Sequence, residues 1–312
     1  MLPWLTGRFG NPSGGHAVAR AARQAVEEAR DELAAVLGCQ PRELVFTSGG
    51  TESDNLAIAG VDGRVACSAI EHHAVLEAVR HRGGQVFDLD APPRDVDLVS
   101  VMLVNNETGS IQSLDEIDAP LVHTDAVQAL PWLDVARAAA RADLISVSAH
   151  KIGGPQGVGA LVVREGVRIA PLLHGGGQER ERRSGTHNVA GIVGFAAAVR
   201  ACKANPPDVR AMRDRLATGL LGIAGCRPTV HPDAAVPGIL QLHIDAIESE
   251  ALLVLLDREG VCASAGASCA SGAIGHSQVL RLSLGWTTTD ADIDHALDVI
   301  PRAVAQLRRV AA

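Results

Sequence analysis

The chain has 312 residues, of which 47% are hydrophobic, and its net charge is −8 at pH 7. This length accommodates a large and a small domain, and the negative charge argues against a nucleic-acid backbone as a partner. No apolar run reaches the about 18 residues of a membrane span, and the N-terminus lacks the pattern of a signal peptide. The six cysteines form no CxxC pair. We therefore expect no structural metal site, no disulfide framework and a cytoplasmic location.

The first part of the chain alternates helical and strand patterns. Apolar residues from Val18 to Leu37 repeat at helical spacing, and Gly38 is expected to end that helix. Short apolar runs then predict strands at 44–47, 64–68, 98–104, 121–124, 144–148 and 157–163. Such strands, separated by helical patterns or turns, predict an α/β fold with a mostly parallel sheet flanked by helices.

The pattern changes after about residue 190, and Pro206 and Pro207 then interrupt the chain. Helices are predicted at 189–204, 209–223, 248–258 and 290–307, and short strands at 238–244, 261–263 and 279–284. We therefore expect a large domain over residues 1–205 and a smaller C-terminal α/β domain over residues 206–312.

Three segments of the first part could carry chemistry. SVSAHK at 146–151 ends a strand with Lys151, which is costly there unless the amine is used, although a plain loop lysine is the alternative. SGGTES at 48–53 suits a phosphate, because backbone N–H groups and a helix dipole would point at the anion; a capping turn is the alternative. HTDAVQ at 123–128 places Asp125 and Gln128 after a strand, where Asp125 either pairs with a protonated ring nitrogen or caps a helix.

Two further segments are rich in small residues. GGGQERERRSGTHN at 175–188 predicts either an anion-binding loop or a solvated one. SAGASCASG at 264–272 surrounds Cys269 with small residues, which makes it a better nucleophile candidate than the other cysteines, although most lone cysteines are buried and inert. Its thiol needs help to ionise near neutral pH, since the usual pKa is about 8.5.

In this order, the segments resemble the NifS/IscS-type cysteine desulfurases, in the class V branch of the pyridoxal 5′-phosphate (PLP) enzymes of fold type I. The similarity runs from FGNPS at 9–13 to TTTDADID at 287–294. The resemblance implies PLP as the cofactor, L-cysteine as the substrate and a homodimer. It also implies sulfur transfer to an acceptor or scaffold protein.

The resemblance also implies a role for each matching residue. Lys151 would bind PLP as a Schiff base and move the substrate α-proton, and Cys269 would receive the sulfur as a persulfide. His72, in EHHAV at 71–75, would stack on the pyridine ring. The other implied contacts are Asp125 with the ring nitrogen, Gln128 with the ring hydroxyl, Gly50, Thr51, Ser148 and His150 with the phosphate, Thr186 with the phosphate of the neighbouring subunit, and Asn106 and Arg281 with the substrate carboxylate.

Two features depart from the family pattern. Family members usually begin with an LDNAATTP-like segment before the stretch that resembles residues 1–13. Its absence predicts either a start that is not the native one or a more open pocket. The stretch from Cys269 to Arg281 is shorter than in the IscS-like group and closer in length to the SufS-like group. We therefore expect a Cys269 loop of restricted reach, with sulfur released to a dedicated acceptor or to small thiols.

Other functions remain open at this point. A PLP-dependent C–S lyase or another class V enzyme would keep Lys151, Asp125 and Arg281 but would not need Cys269. A non-catalytic sulfur-assembly scaffold is a second alternative. A metalloenzyme is not supported, because the sequence contains no HExxH motif. The sulfur could serve iron–sulfur cluster assembly, tRNA thiolation or another pathway, and selenocysteine could be a substrate.

Overall fold

The computed structural model describes residues 1–266 and 278–311. The chain divides into two compact units. The first comprises Met1–Val104 and Gln112–Pro206, and the second comprises Asn105–Ile111 and Pro207–Ala312. The segment Asn105–Ile111 therefore belongs to the second unit, although the predicted boundary near residue 205 assigned it to the first.

The first unit contains helices on both sides of a sheet. Helix α2 shows how the sequence specifies one of them: Ala22, Val26 and Leu33 are buried along one face, and Gly38 ends the helix in the left-handed conformation, with φ 63°. This confirms the predicted helix and its end. The helices are α1 (Leu2–Leu5), α2 (Ala17–Leu37), α3 (Gly50–Gly60), α4 (His73–His81), α5 (Val135–Ala138) and α6 (Val189–Ala204).

The sheet of the first unit has seven strands in the order β1-β7-β6-β5-β4-β2-β3. Only β7 runs antiparallel to its neighbours, β1 and β6, so the predicted mostly parallel sheet is confirmed. Strand β3 was not predicted from the sequence, because only one of its three residues is buried. The strands are β1 (Leu44–Thr47), β2 (Val65–Ser68), β3 (Gln85–Phe87), β4 (Leu98–Ser100), β5 (Leu121–Asp125), β6 (Leu144–Ser148) and β7 (Gly159–Val163).

Strand direction brings distant segments to one edge of this sheet. Strands β5 and β6 are parallel, so their last residues, Asp125 and Ser148, lie at the same edge. Strand β1 is antiparallel to β7, which is antiparallel to β6, so β1 also ends there. In this register Gly159 is paired with both Thr47 and Ser148. The turn that leads from β1 to α3 is therefore next to the end of β6.

The second unit has a three-stranded antiparallel sheet in the order β10-β9-β8. The predicted strand at 261–263 is wrong: those residues form no ladder, and Ser264 makes only an isolated bridge with Arg281. Cys262 is exposed there, so the short apolar run does not mark a buried strand. The elements are α7 (Arg210–Leu220), β8 (Cys226–Pro228), β9 (Ile239–Ile244), α8 (Ser249–Arg258), β10 (Val279–Ser283) and α9 (Asp290–Ala311).

Over residues 1–266 and 278–311, no helix combines the length and the apolar character that crossing a membrane requires.

We predict that Gly159→Ala destabilises the first unit. A Cβ at this position would lie 2.7 Å from Gly49 Cα and 2.7 Å from the Val147 carbonyl oxygen, and backbone atoms cannot rotate away. The expected loss of unfolding free energy is about 1–3 kcal/mol, measured by urea denaturation. Gly15→Ala is the control, because its Cβ would meet no atom within 4 Å. Equal losses in the two variants would contradict the proposed close approach.

Candidate active site

Lys151 interacts electrostatically with residues from several of the polar motifs predicted in the first unit. This residue lies in the 3₁₀ turn Ala149–Ile152, directly after β6, and Gly153 ends the turn with φ 74°. The Lys151 ammonium group acts electrostatically on Asp125, His72 and His150. Three of the residues predicted for the site from separate motifs are therefore within the field of one amine.

Asp125 is a buried carboxyl group at the end of β5. Its Oδ1 accepts a hydrogen bond from the Val127 backbone N–H at 2.8 Å. Burial raises the pKa of Asp125 to about 6, although the Val127 bond and the charge of Lys151 favour the ionised form. The group is therefore mostly ionised at neutral pH and could pair with a cation such as a protonated ring nitrogen. Gln128 is half-buried on the turn that follows.

Three segments meet at the start of α3. Gly49 precedes the helix with φ 154°, and no side chain caps the helix. A Cβ on Gly50 would lie 2.8 Å from Val127 Cγ2 and 3.8 Å from Ser148 Cβ, so the turn before α3 approaches the ends of both β5 and β6. Ser148 Oγ lies 2.8 Å from His150 Nδ1. Ser148 therefore lies next to a helix N-terminus, where an anion is favoured.

His72 precedes α4, and its ring is held by the backbone. Its Nδ1 accepts a hydrogen bond from the Ala74 N–H at 3.1 Å. Burial, together with the charges of His73 and Lys151, lowers the pKa of His72, which favours the neutral ring. Both histidines and the exposed Thr51 line a cavity of about 440 Å³.

Behind Asp125 lies a buried polar network that the sequence analysis missed. His123 is two residues before Asp125 on β5, so both side chains lie on the same face of the sheet. Its Nδ1 lies 2.8 Å from Ser100 Oγ, and its Nε2 lies 3.0 Å from Ser146 Oγ and 3.6 Å from Asp54 Oδ1. Burial lowers the pKa of His123 to about 3, so the ring is neutral.

The carboxyl groups of Asp54 and Glu71 complete this network. Burial and the charge of Asp125 raise the pKa of Asp54 well above its usual value. Glu71 Oε1 accepts bonds from Ser68 Oγ and the Met102 N–H, both at 2.7 Å, yet burial and Asp125 raise its pKa to about 8. The charge of Asp125 opposes ionisation of the other two carboxyl groups, so Asp125 is the ionised member of the three. The only sequence signal was a carboxylate beside apolar residues in each segment.

Thr186 lies in the first unit, in the glycine- and arginine-rich loop at 174–188, and its side chain is exposed. With Ser48 and Arg183 it lines a small cavity of about 90 Å³. Arg183 Nε donates to Glu52 Oε1 at 2.8 Å, which ties this loop to the first turn of α3. The loop is therefore fixed next to the turn that is expected to hold a phosphate.

Asn106 and Arg281 belong to the second unit, where they are in contact. Arg281 Nη1 donates to the Asn106 carbonyl oxygen at 3.0 Å. Arg281 Nε is buried and has no hydrogen-bond partner among the described residues. A buried N–H without an acceptor is costly, so the guanidinium group is suited to a carboxylate that it would bind with two donors.

Cys269 and most of the stretch from it to Arg281 lie outside the described residues, so the expected short reach of this loop stays a prediction. The five other cysteines are free thiols. Cys262 is the exposed member of the five. Burial raises the thiol pKa of the remaining four, which disfavours nucleophilic thiolates: Cys39 (to about 11), Cys67 (to about 12), Cys202 and Cys226.

The residues of the first unit fit PLP by their chemistry. The uncapped amides at Gly50, with Ser148 and His150, suit a phosphate, and the missing Cβ at Gly50 is required by the approach of Val127. The buried Asp125 suits a ring nitrogen, and the Lys151 amine suits an aldehyde. Among the described residues, no three His, Cys, Asp or Glu side chains form a group that could hold a metal ion.

Comparisons with known proteins agree with this site. The sequence model of the family described as aminotransferase class-V matches residues 1–296. The chain belongs to this family. Within class V, it is 38% identical to the cysteine desulfurase IscS of Methanosarcina thermophila, with 99% of this chain and 89% of that protein covered. It is also 38% identical to an IscS-like cysteine desulfurase of Mycobacterium tuberculosis, with 97% and 91% covered.

The fold comparison agrees with this membership of class V. A solved structure of a NifS-like protein matches with a TM-score of 0.87 and 31% identity, over 98% of this chain and 94% of that one. The predicted resemblance to NifS/IscS-type proteins and the predicted fold are therefore confirmed.

We predict that Glu71→Gln flattens the loss of stability that the wild type shows as the pH rises towards about 8. The pKa of Glu71 is raised from 4.5 to about 8 in the fold, so between these values the folded protein keeps a proton that the unfolded chain has lost. Stability therefore falls as the pH rises through this range, by up to about 1.4 kcal/mol per pH unit. Glutamine keeps the acceptor for Met102 but does not titrate.

The measurement is urea denaturation at about pH 6 and about pH 9. Wild type should lose more stability than Glu71→Gln over this interval. The control is Glu77→Gln, on the exposed face of α4, which should follow the wild type. The same pH dependence in Glu71→Gln and wild type would contradict the protonated state of Glu71.

Proposed function

We propose that this class V chain is a PLP-dependent cysteine desulfurase that converts L-cysteine to L-alanine and leaves a persulfide on Cys269. The observation that carries the proposal is the buried charge of Asp125 in the field of Lys151, at an edge of the sheet where Gly50 approaches both strand ends. A lone buried carboxylate is costly unless it pairs with a cation. The relatives that are cysteine desulfurases give the substrate class.

PLP, when bound, supplies an aldehyde that takes an amine and a protonated ring that withdraws electrons from the substrate. Lys151 would attach it through Nζ. Asp125 would pair with the ring nitrogen, Gln128 would contact the ring hydroxyl, and the neutral His72 ring would cover one face. The phosphate would be bound by Gly50, Thr51, Ser148 and His150, and by Thr186 of the neighbouring subunit in a homodimer.

Arg281 and Asn106 would bind the carboxylate of L-cysteine. The partnerless Nε of Arg281 supports this role. Lys151 would remove the α-proton and return a proton to the carbon that loses sulfur. The Cys269 thiolate would attack the substrate sulfur, so that an S–S bond forms while the C–S bond breaks and its electron pair stays on the carbon of L-alanine. The terminal persulfide sulfur would then pass to an acceptor protein, a scaffold protein or a small thiol.

Replacing Cys269 should separate this reaction from that of a C–S lyase. With L-cysteine and a reductant, wild type is expected to release alanine and sulfide, and Cys269→Ala is expected to be slower by about 100-fold or more, because the sulfur acceptor is gone. Cys262→Ala is the control, because Cys262 is an exposed thiol of the second unit. Pyruvate and ammonia at equal rates in all three proteins would identify a C–S lyase instead.

The covalent attachment site can be tested cleanly because the chain has two lysines, Lys151 and Lys203. We predict that borohydride fixes one PLP to wild type and to Lys203→Ala, and that Lys151→Ala carries no fixed PLP, because its attaching amine is missing. The measurement is the mass of the denatured chain and of its peptides. Fixed PLP in Lys151→Ala, together with its loss in Lys203→Ala, would refute the assignment of Lys151.

A further inference from the structure

The loop at 174–188 is anchored by a buried ion pair that the proposed chemistry does not use. The Glu179 carboxylate accepts four hydrogen bonds: from Arg30 Nη1 at 2.8 Å, Arg30 Nη2 at 2.7 Å, the Phe46 N–H at 2.8 Å and His187 Nε2 at 2.7 Å. Arg30 is 2% exposed and Glu179 is 6% exposed. Burial alone would raise the pKa of Glu179, but the bonds from Arg30 and His187 lower it to about 2. Glu179 is therefore an ionised acceptor, and His187 donates to it.

The backbone at Glu179 needs this anchor. Glu179, Arg180 and Glu181 have φ values of 48°, 57° and 66°, in the left-handed region that residues with a Cβ rarely adopt. Consecutive residues in this conformation persist only where the surroundings hold them. Arg30 on α2 and Phe46 on β1 fix the Glu179 side chain to two regular elements, so the strained turn is held from outside the loop.

The anchored turn at Glu179–Glu181 also fixes the segment that contains Thr186. Gln178 Oε1 accepts a hydrogen bond from the Gly185 N–H at 2.8 Å. Glu179 Oε1 contacts His187 Nε2 on the other side of Thr186. Gly185 and His187, on either side of Thr186, are therefore hydrogen-bonded to the side chains of Gln178 and Glu179. This arrangement sets the place of the Thr186 backbone.

We infer that Glu179 is a positioning residue for cofactor binding: through His187 it holds Thr186 where its hydroxyl can bind the phosphate of PLP. This inference rests on the proposed function, in which Thr186 serves the neighbouring subunit. The Arg183–Glu52 pair ties the same loop to α3, whose N-terminus would bind the phosphate of its own subunit. One loop thus connects the two phosphate contacts, and the Arg30–Glu179 pair sets its shape.

The primary test is the affinity of the apoprotein for PLP, measured by absorbance titration at fixed subunit concentration. Glu179→Gln is expected to raise Kd about tenfold, because the loop loses its charged anchor. The matched control is Glu181→Gln, an exposed carboxylate in the same left-handed turn, which should change Kd by less than about twofold. An unchanged Kd in a folded Glu179→Gln would overturn the inference.

A double-mutant cycle distinguishes positioning from a general loss of structure. Thr186→Ala should weaken PLP binding by itself. Because Glu179 acts through Thr186, adding Glu179→Gln to Thr186→Ala should weaken binding little further. Losses that multiply in the double variant would show that Glu179 acts elsewhere, and would overturn the inference.

Removing one partner of a buried ion pair destabilises a fold, so a second variant is needed. His187→Leu breaks the contact to Glu179 and leaves the Arg30–Glu179 pair in place. It is expected to raise Kd for PLP in the same direction, with the apoprotein melting temperature kept. If His187→Leu binds PLP with the same Kd as the wild type, the inference is wrong but the proposed function stands. If the wild-type protein itself binds no PLP, both the inference and the proposed function are wrong.

Discussion

The polar network at the end of β5 depends on one buried negative charge, that of Asp125. Removing a carboxylate from water is costly, and here the Val127 amide and the Lys151 ammonium offset that cost. Burial, together with the charge of Asp125, raises the pKa values of Asp54 and Glu71, so both groups keep their protons at neutral pH. The buried polar network can therefore contain three carboxyl groups, because Asp125 is charged and the other two are neutral.

Strand direction is the second condition for the site. Lys151 follows β6, Asp125 ends β5, and the Gly49–Gly50 turn follows β1, so these groups come from distant parts of the sequence. Parallel pairing of β5 with β6 brings Asp125 to the end of β6. The Gly49–Gly50 turn meets that end because Gly159 of β7 pairs with both Thr47 and Ser148 and carries no side chain. The absence of a Cβ there is thus a requirement of strand packing and of the site together.

The strand ends were predictable from the sequence, and the contacts behind them were not. Apolar runs marked β1, β5 and β6, so Asp125 and Lys151 were expected at strand ends. The exposed residues of β3 and the short run at 261–263 misled the analysis, because burial and apolar character do not coincide there. His123–Asp54 and Arg30–Glu179 were missed because each contact joins residues far apart in the chain, and no local pattern specifies such a pair. The sequence motifs supplied candidate roles, which geometry alone does not assign.

The strand order also determines when the sheet of the first unit can form during synthesis. In the described sheet, β1 lies at the edge and pairs with β7 alone, which is the last strand of that sheet in the chain. During synthesis the apolar segment Leu44–Thr47 has no β partner until Gly159–Val163 has left the ribosome. Such long-range pairing slows folding. Until it forms, the unpaired backbone of the β1 segment is exposed to pairing with other nascent chains. Pairing of β1 therefore waits until about half of the 312-residue chain has been made, an interval in which protection by a chaperone would be of most use.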